Sequence, residues 1–144
     1  MRVLAADRLS ESSLDEMRTL GVEVIYEPDL DGEGLVSVLD GVNVLIVRGT
    51  VVNKAAIDAG KALNLIIRAG AGVSNIDVGA ASERGIYVAN CPGKNASAVA
   101  ELTLTLIGCL DRRVPDGVAS LRGGKWEKHE FARAVGLNGR KIGV

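Results

Sequence analysis

The stretch LNLIIRAGAGVSNIDVGAASERGIYVANC, residues 63–91, has two apolar runs that flank a glycine-rich loop and a helix-like segment. Near-continuous runs of Val, Ile and Leu predict strands buried on both faces, as in parallel sheets. Five such runs begin near residues 3, 22, 42, 63 and 86. Alternation of these runs with helical segments predicts a doubly wound parallel α/β sheet of the flavodoxin-like type.

Segments with helix start and stop signals separate the runs. Residues 11–20 contain a capping-box pattern from Ser13 to Glu16, and Gly21 follows them. Each of the other segments follows a residue that is suited to cap a helix. These pairs of cap and segment are Asp31 with 32–39, Asn53 with 54–60, and Asp77 with 78–84.

The character of the sequence changes after Pro92-Gly93. Residues Ser97–Leu110 are apolar nearly all round, which predicts a helix with partners on several sides. Residues 120–136 are polar and contain glycine, so we expect a surface connection there, and a strand over Lys141–Val144. We therefore predict two domains, 1–95 and 96–144, with a hinge near 91–95.

Composition excludes several classes of protein. Apolar residues make up 47% and charged residues 24%, and the formal net charge is −1. This balance is typical of a globular chain and does not favour nucleic-acid or membrane binding through bulk charge. Cys91 and Cys109 form no CxxC pair, and His129 is the single histidine, so we expect no metal site and a cytoplasmic location.

Three loops follow the predicted strands at the edge where open α/β sheets bind ligands. Arg48 follows a wholly apolar strand and would suit a carboxylate or phosphate, or would only cap a carbonyl at the surface. Arg68 precedes Gly70-Ala71-Gly72-Val73, whose amides could bind a small carboxylate or form a turn without a ligand. As a dinucleotide fingerprint this loop is incomplete, because Asn75 replaces the third glycine.

The third loop, NCPGKN, contains Asn90, Cys91 and Lys94. Pro92-Gly93 suits a hinge between two differently composed halves. A nucleophilic role for Cys91 is disfavoured because no histidine lies near it in sequence.

The segments LIVRGTVV, IIRAGAGVSNIDVGAASERGIYVANCPGKNASAVAELT, GGKWEK and LNGRKIGV resemble, in order and spacing, the D-isomer-specific 2-hydroxyacid dehydrogenases. The resemblance covers essentially the whole chain. It implies an oxidoreductase that passes hydride from the CH–OH group of a D-2-hydroxy acid to NAD. The expected substrate is 3-phosphoglycerate, as in serine biosynthesis, and the complete protein is expected to be a homo-oligomer.

The resemblance also implies roles for individual residues. The residues expected to bind the substrate are Arg48, Arg68, Gly72, Val73 and Asn90. Ala71 and Thr103 are expected to contact the nicotinamide end of NAD. Gly49 stands where the family usually has serine, which leaves the particular hydroxy acid open.

The resemblance implies that residues 1–95 are the N-terminal part of a substrate-binding domain. It also implies that residues 96–144 are the first helix and strand of a Rossmann NAD-binding domain, truncated before its GxGxxG turn. In the family, a strand like Lys141–Val144 runs into that turn. The family's catalytic Arg, Glu and His lie beyond that turn, so we expect no catalytic residue in this chain and no turnover by the chain alone. The alternative is a catalytically inactive module that binds a small anion or regulates a partner. The sequence that follows Val144 in the reading frame would separate the two interpretations, and the choice between NAD and NADP stays open.

Overall fold

The computed structural model describes residues 1–143 and forms two compact units, residues 1–95 and residues from Ala96 onward. The first unit alternates strands and helices throughout. Its elements are β1 (Arg2–Ala5), α1 (Glu11–Thr19), β2 (Glu23–Tyr26), α2 (Gly32–Val38), β3 (Val44–Val47), α3 (Lys54–Ala59), β4 (Leu65–Arg68), α4 (Val78–Glu83) and β5 (Tyr87–Asn90).

All five strands of the first unit form one parallel sheet in the order β2-β1-β3-β4-β5. This confirms the predicted flavodoxin-like sheet, since the order 2-1-3-4-5 is that of flavodoxin-like folds. The register pairs Val47 with Arg68, and Arg68 with Asn90. The carboxyl ends of β3, β4 and β5 therefore lie side by side, and the loops that follow them share one edge of the sheet.

The core of the first unit lies on both faces of the sheet. One cluster of buried side chains includes Leu4, Leu45 and Ile66, and the other consists of Val3, Val44 and Ile46. Adjacent residues of β3 thus contribute to opposite clusters, because successive side chains of a strand point to opposite faces. Burial on both faces explains why β3 is an unbroken apolar run.

Side-chain caps fix the starts of the helices in the first unit. The predicted caps are confirmed: Asp31 accepts from the Gly34 N–H (2.7 Å), Asn53 from Ala56 (3.0 Å) and Asp77 from Ala80 (2.9 Å). For α1 the predicted range, 11–20, agrees with the observed Glu11–Thr19, but the prediction of Ser13 as its cap was wrong. Ser10 is its N-cap and accepts from the Ser13 N–H, so Ser13 lies inside the first turn.

The second unit is helical over its described residues. Its elements are α5 (Ala96–Arg112), α6 (Val114–Arg122) and α7 (Lys128–Phe131). The predicted helix Ser97–Leu110 lies within α5, but α6 and α7 occupy part of the segment for which we expected a surface connection. Arg113, at φ 51°, separates α5 from α6, and this left-handed backbone ends one helix before the next begins.

The predicted terminal strand is not formed over residues 141–143. A strand needs neighbouring strands to pair its N–H and C=O groups, and no strand is present among residues 96–143. Val144, the last residue of that prediction, lies outside the described residues. None of the helices in the described part of the chain has the length and apolar character needed to cross a membrane.

Candidate functional site

A cavity of about 470 Å³ opens at the edge of the sheet where the carboxyl ends of β3, β4 and β5 meet. It is formed by residues of the three loops on which the sequence predictions focused. The lining residues are Arg48, Arg68, Ala69, Gly70, Ala71, Cys91, Lys94 and Asn95. The parallel register brings these loops together, although they are far apart in sequence.

Arg48 is the first residue after β3, and its exposed side chain lines the cavity. The backbone around it is held from two sides. Its N–H donates to the carboxylate of Asp7 (2.6 Å), and its carbonyl accepts from Nε of Arg68 (3.0 Å). The side chain of Arg48 therefore extends from a backbone that neighbouring strands hold in place.

Arg68, the last residue of β4, folds its guanidinium group back over Gly70. A Cβ atom at residue 70 would collide with this guanidinium, so the close approach requires glycine at that position. The turn after Arg68 is closed by the Gly70 N–H, which donates to the Arg68 carbonyl (2.8 Å), and the Gly70 carbonyl accepts from the Cys91 N–H (2.9 Å). This glycine loop is thus tied to both its own strand and the loop after β5.

The cavity is positively charged. Arg48, Arg68 and Lys94 line it, and within the described residues the lining contains no Asp or Glu. Over residues 1–143, none of these three cations takes part in an ion pair. Cationic side chains without acidic partners, beside a loop of small residues, are chemically suited to hold a small anion.

The glycine loop is supported by Asn90, whose Nδ2 donates to the Ala71 carbonyl (2.7 Å). Of the predicted site residues, the cavity brings together Arg48, Arg68 and Ala71. Gly72 and Val73 are the next residues of the same loop. Gly72 is exposed, and a Cβ atom there would meet nothing within 4 Å, so the space beside its backbone is open.

Thr103 lies in α5 of the second unit. Its hydroxyl donates to the Val99 carbonyl one turn earlier (2.7 Å), which is a hydrogen bond within its own helix. The expected contact of Thr103 with the nicotinamide stays a prediction.

The sequence interpretation overlooked Asp7, which follows β1 at the same edge of the sheet. One oxygen of its carboxylate, Oδ2, accepts the N–H groups of Arg48, Gly49 and Thr50 at 2.6, 3.0 and 3.0 Å. Partial burial raises the pKa of Asp7, but these three donors and the Thr50 hydroxyl outweigh it and leave the pKa below the ordinary value. The signal available in the sequence was an acidic residue directly after the first apolar run, residues 3–6.

Asn75 is a second residue whose structural role the sequence interpretation overlooked. Its Nδ2 donates to the Thr50 carbonyl (2.8 Å), while its Oδ1 is buried without a partner among the described residues. Asn75 thus joins the loop after β4 to the loop after β3. The pairing of Val52 with Ile76 reinforces the same junction.

Metal-ligating side chains do not cluster in the described part of the chain. Over residues 1–143 there is no group of three or more His, Cys, Asp or Glu residues placed to hold a metal ion.

Comparison with known proteins gives consistent results. The chain is 39% identical over 145 residues to the D-3-phosphoglycerate dehydrogenase of Archaeoglobus fulgidus, a match that covers 100% of this chain and 27% of that protein. The TT0316 protein of Thermus thermophilus matches the fold with a TM-score of 0.75 and 33% identity, over 91% of this chain and 44% of that one.

The NAD⁺-bound 3-phosphoglycerate dehydrogenase of Entamoeba histolytica matches with a TM-score of 0.68 and 29% identity, over 78% of this chain and 39% of that one. The chain spans about 27% of the length of the D-3-phosphoglycerate dehydrogenases that it matches. The sequence pattern of the family described as "D-isomer specific 2-hydroxyacid dehydrogenase, catalytic domain" matches residues 3–138. The parallel sheet, the loops at its carboxyl edge and this match over nearly the whole sequence lead to one conclusion: the chain belongs to the D-isomer-specific 2-hydroxyacid dehydrogenase family.

Proposed function

We propose that this chain supplies the substrate side of an NAD-dependent oxidoreductase that acts on the CH–OH group of a D-2-hydroxy acid, with 3-phosphoglycerate as the substrate. The observation that carries the proposal is the cavity in which Arg48, Arg68 and Lys94 face no acidic residue among the described lining. A carboxylate together with a phosphate supplies enough negative charge to match three cations. The proposed location is cytoplasmic.

In this proposal the chain's own residues bind and orient the substrate. Arg48 holds an anionic group of the substrate from the end of β3, and Arg68 and Lys94 add positive charge around it. The amides of Gly72 and Val73 receive the carboxylate, and Asn90 keeps their loop in place through the Ala71 carbonyl. Fixing the anion in this way orients the carbon that loses hydride.

The described residues fit only one end of NAD. Ala69-Gly70-Ala71-Gly72 is a loop of small residues with open space beside Gly72, against which a flat ring can lie. Ala71 would contact the nicotinamide, a role that the family resemblance also implies for Thr103. When bound, NAD accepts the hydride. The sequence contains no GxGxxG turn for the pyrophosphate, so the proposal places that contact in the complete protein. The proton transfer and the homo-oligomer interface are also proposed for the complete protein.

Binding of 3-phosphoglycerate to the 144-residue chain, measured by calorimetry at low salt, tests the proposal. We expect binding that weakens about tenfold in Arg48→Ala, because a charge-assisted contact is lost. Thermal stability should change little, since the Arg48 side chain is exposed. D-Lactate, with one anionic group, should bind more weakly than 3-phosphoglycerate.

Arg8→Ala is the matched control for this experiment. Arg8 follows β1 at the same edge of the sheet, is 81% exposed and pairs with Asp29 instead of lining the cavity. Its removal should leave affinity within about twofold, as expected for a surface charge. Equal losses in both variants would mean that the ligand is held only by general electrostatic attraction, and would contradict a specific contact from Arg48. Oxidation of 3-phosphoglycerate by the chain alone with NAD would contradict the proposal that proton transfer requires other residues.

A further inference from the structure

The backbone from Arg48 to Thr50 forms a small anion-binding concavity that the protein fills with its own carboxylate. Three successive N–H groups converge on Oδ2 of Asp7 at 2.6, 3.0 and 3.0 Å. Successive amides that point to one centre make an anion site of the kind called a nest. Because Asp7 occupies this nest, the amides are not available to a substrate anion, and the Arg48 side chain is the cation that this loop presents to the cavity.

Other contacts hold the far end of the same loop. The Thr50 hydroxyl lies 3.3 Å from the Ala6 carbonyl and 3.2 Å from the Leu30 carbonyl, and the Thr50 carbonyl accepts from Asn75. These contacts fix Thr50 but leave Arg48 and Gly49 to Asp7 and Arg68. The Asp7 carboxylate is therefore the only side chain among the described residues that accepts the N–H groups of both Arg48 and Gly49.

We propose that Asp7 is a positioning residue for substrate binding: its carboxylate fixes the backbone from which Arg48 reaches the cavity. This inference rests on the proposed function, because it assigns to Asp7 an effect on the anion that Arg48 would bind. Asp7 does not touch the substrate in this account. It acts through Arg48, and the three amide dipoles that point at its carboxylate offset part of its repulsion of a nearby anion.

The decisive experiment is a double-mutant cycle with 3-phosphoglycerate as the ligand of the 144-residue chain. Asp7→Asn should weaken binding about tenfold, since the neutral amide holds the three N–H groups less strongly. In an Arg48→Ala background the same change should weaken binding by less than about twofold, because the group that Asp7 positions is absent. Equal losses in both backgrounds would overturn the inference.

Asp29→Asn is the matched control, because it removes the same charge after β2 at the same edge of the sheet, where Asp29 is 78% exposed. It should leave affinity unchanged within about twofold. A gain of affinity in Asp7→Asn, equal to that in Asp29→Asn, would show that the carboxylate only repels the ligand, and would also overturn the inference.

Two further measurements cover the remaining cases. If Asp7→Asn does not fold, Asp7→Glu keeps the charge but displaces the carboxylate by one methylene, and unchanged affinity in that variant would overturn the positioning role. If the unaltered chain does not bind 3-phosphoglycerate, the proposed function fails and the positioning role fails with it. Binding by the unaltered chain that Asp7→Asn leaves intact overturns the positioning role alone.

Discussion

The two units of this chain are similarly rich in apolar residues but differ in how these residues are buried. Among the residues that the structure describes, all the fully buried hydrophobic ones, including Leu4, Leu45 and Ile66, lie in the first unit. Among residues 96–143 none is buried, and α5 exposes Val99, Leu102, Leu104, Leu106 and Leu110. Apolar composition by itself therefore does not make a core.

The difference has a geometric cause. Strands and helices alternate along the first unit, so apolar side chains of the central strands find partners locally: all four residues of β3 are buried, whereas the edge strand β5 leaves Tyr87 exposed. Helix α5 is apolar on several sides, and a helix can bury several sides only when several layers surround it. The first unit thus contains its own stabilising contacts, whereas the apolar faces of α5 stay exposed in this chain.

The largest expected effect comes from leucine-to-alanine substitutions, which test whether the packed core lies in the first unit alone. Leu45 in β3 is 0% exposed and Leu104 in α5 is 66% exposed. We expect Leu45→Ala to lower the free energy of unfolding by about 3 kcal/mol, because it removes packed methyl groups and leaves a cavity. Leu104→Ala should change it by less than about 0.5 kcal/mol. Urea unfolding followed by circular dichroism measures both, and similar losses would mean that α5 is packed as tightly as β3.

Helix caps allow a second comparison at smaller energy. Asp77 caps α4 through the Ala80 N–H, whereas α6 has no side-chain cap and Asp116 in its first turn only pairs with Arg113 at the surface. Asp77→Ala should cost about 1 kcal/mol of stability, and Asp116→Ala about 0.5 kcal/mol or less. The same unfolding experiment tests this. A larger loss at Asp116 would show that the second unit depends on its surface ion pairs.

The smallest effect concerns two carboxylates whose pKa values are both lowered. Arg113 lowers the pKa of Glu130 by a hydrogen bond at the exposed surface, and backbone amides lower that of Asp7 against the opposing effect of burial. Raising NaCl from about 0.02 M to about 1 M should move the pKa of Glu130 toward its ordinary value and leave that of Asp7 nearly unchanged, because salt screens exposed charges. Carboxyl ¹³C NMR titrations measure both. A large salt shift at Asp7 would mean that its amide contacts are open to solvent.

The sign of the linked stability follows from the lowered pKa of Asp7. Folding favours its charged form, so its contribution is present above the ordinary value of 3.8 and is lost as the pH falls through the lower folded value. The stability difference between the unaltered chain and Asp7→Asn should therefore shrink on acidification within that range. A difference that stays constant down to the acid limit of folding would contradict this linkage.

Local sequence signals accounted for most of the first unit. The strands were predictable because each is a short apolar run, and Asp31, Asn53 and Asp77 mark helix starts by chemistry that acts within three residues. Arg48 and Arg68 were predictable as cavity residues because each directly follows or ends a strand, and parallel strands bring such positions to one edge.

What the sequence did not reveal depends on contacts between distant residues or on weak local signals. The role of Asp7 requires β1 to pair with β3, which places residue 7 beside residues 48–50. Helix α6 was missed because Pro115 and Gly117 disfavour helices in general, although proline is tolerated in a first turn. The terminal strand was predicted from its apolar residues, but strand formation also requires a partner strand.

The contact between Arg68 and Gly70 has a consequence for substitutions in the loop after β4. Any side chain at residue 70 would displace the guanidinium of Arg68 from the place where it holds the Arg48 carbonyl. A substitution at residue 70 therefore affects the backbone of residue 48 through the side chain of residue 68. Because the guanidinium is the flexible end of its side chain, it would move aside, and the Arg48 carbonyl would lose the donor that Arg68 supplies.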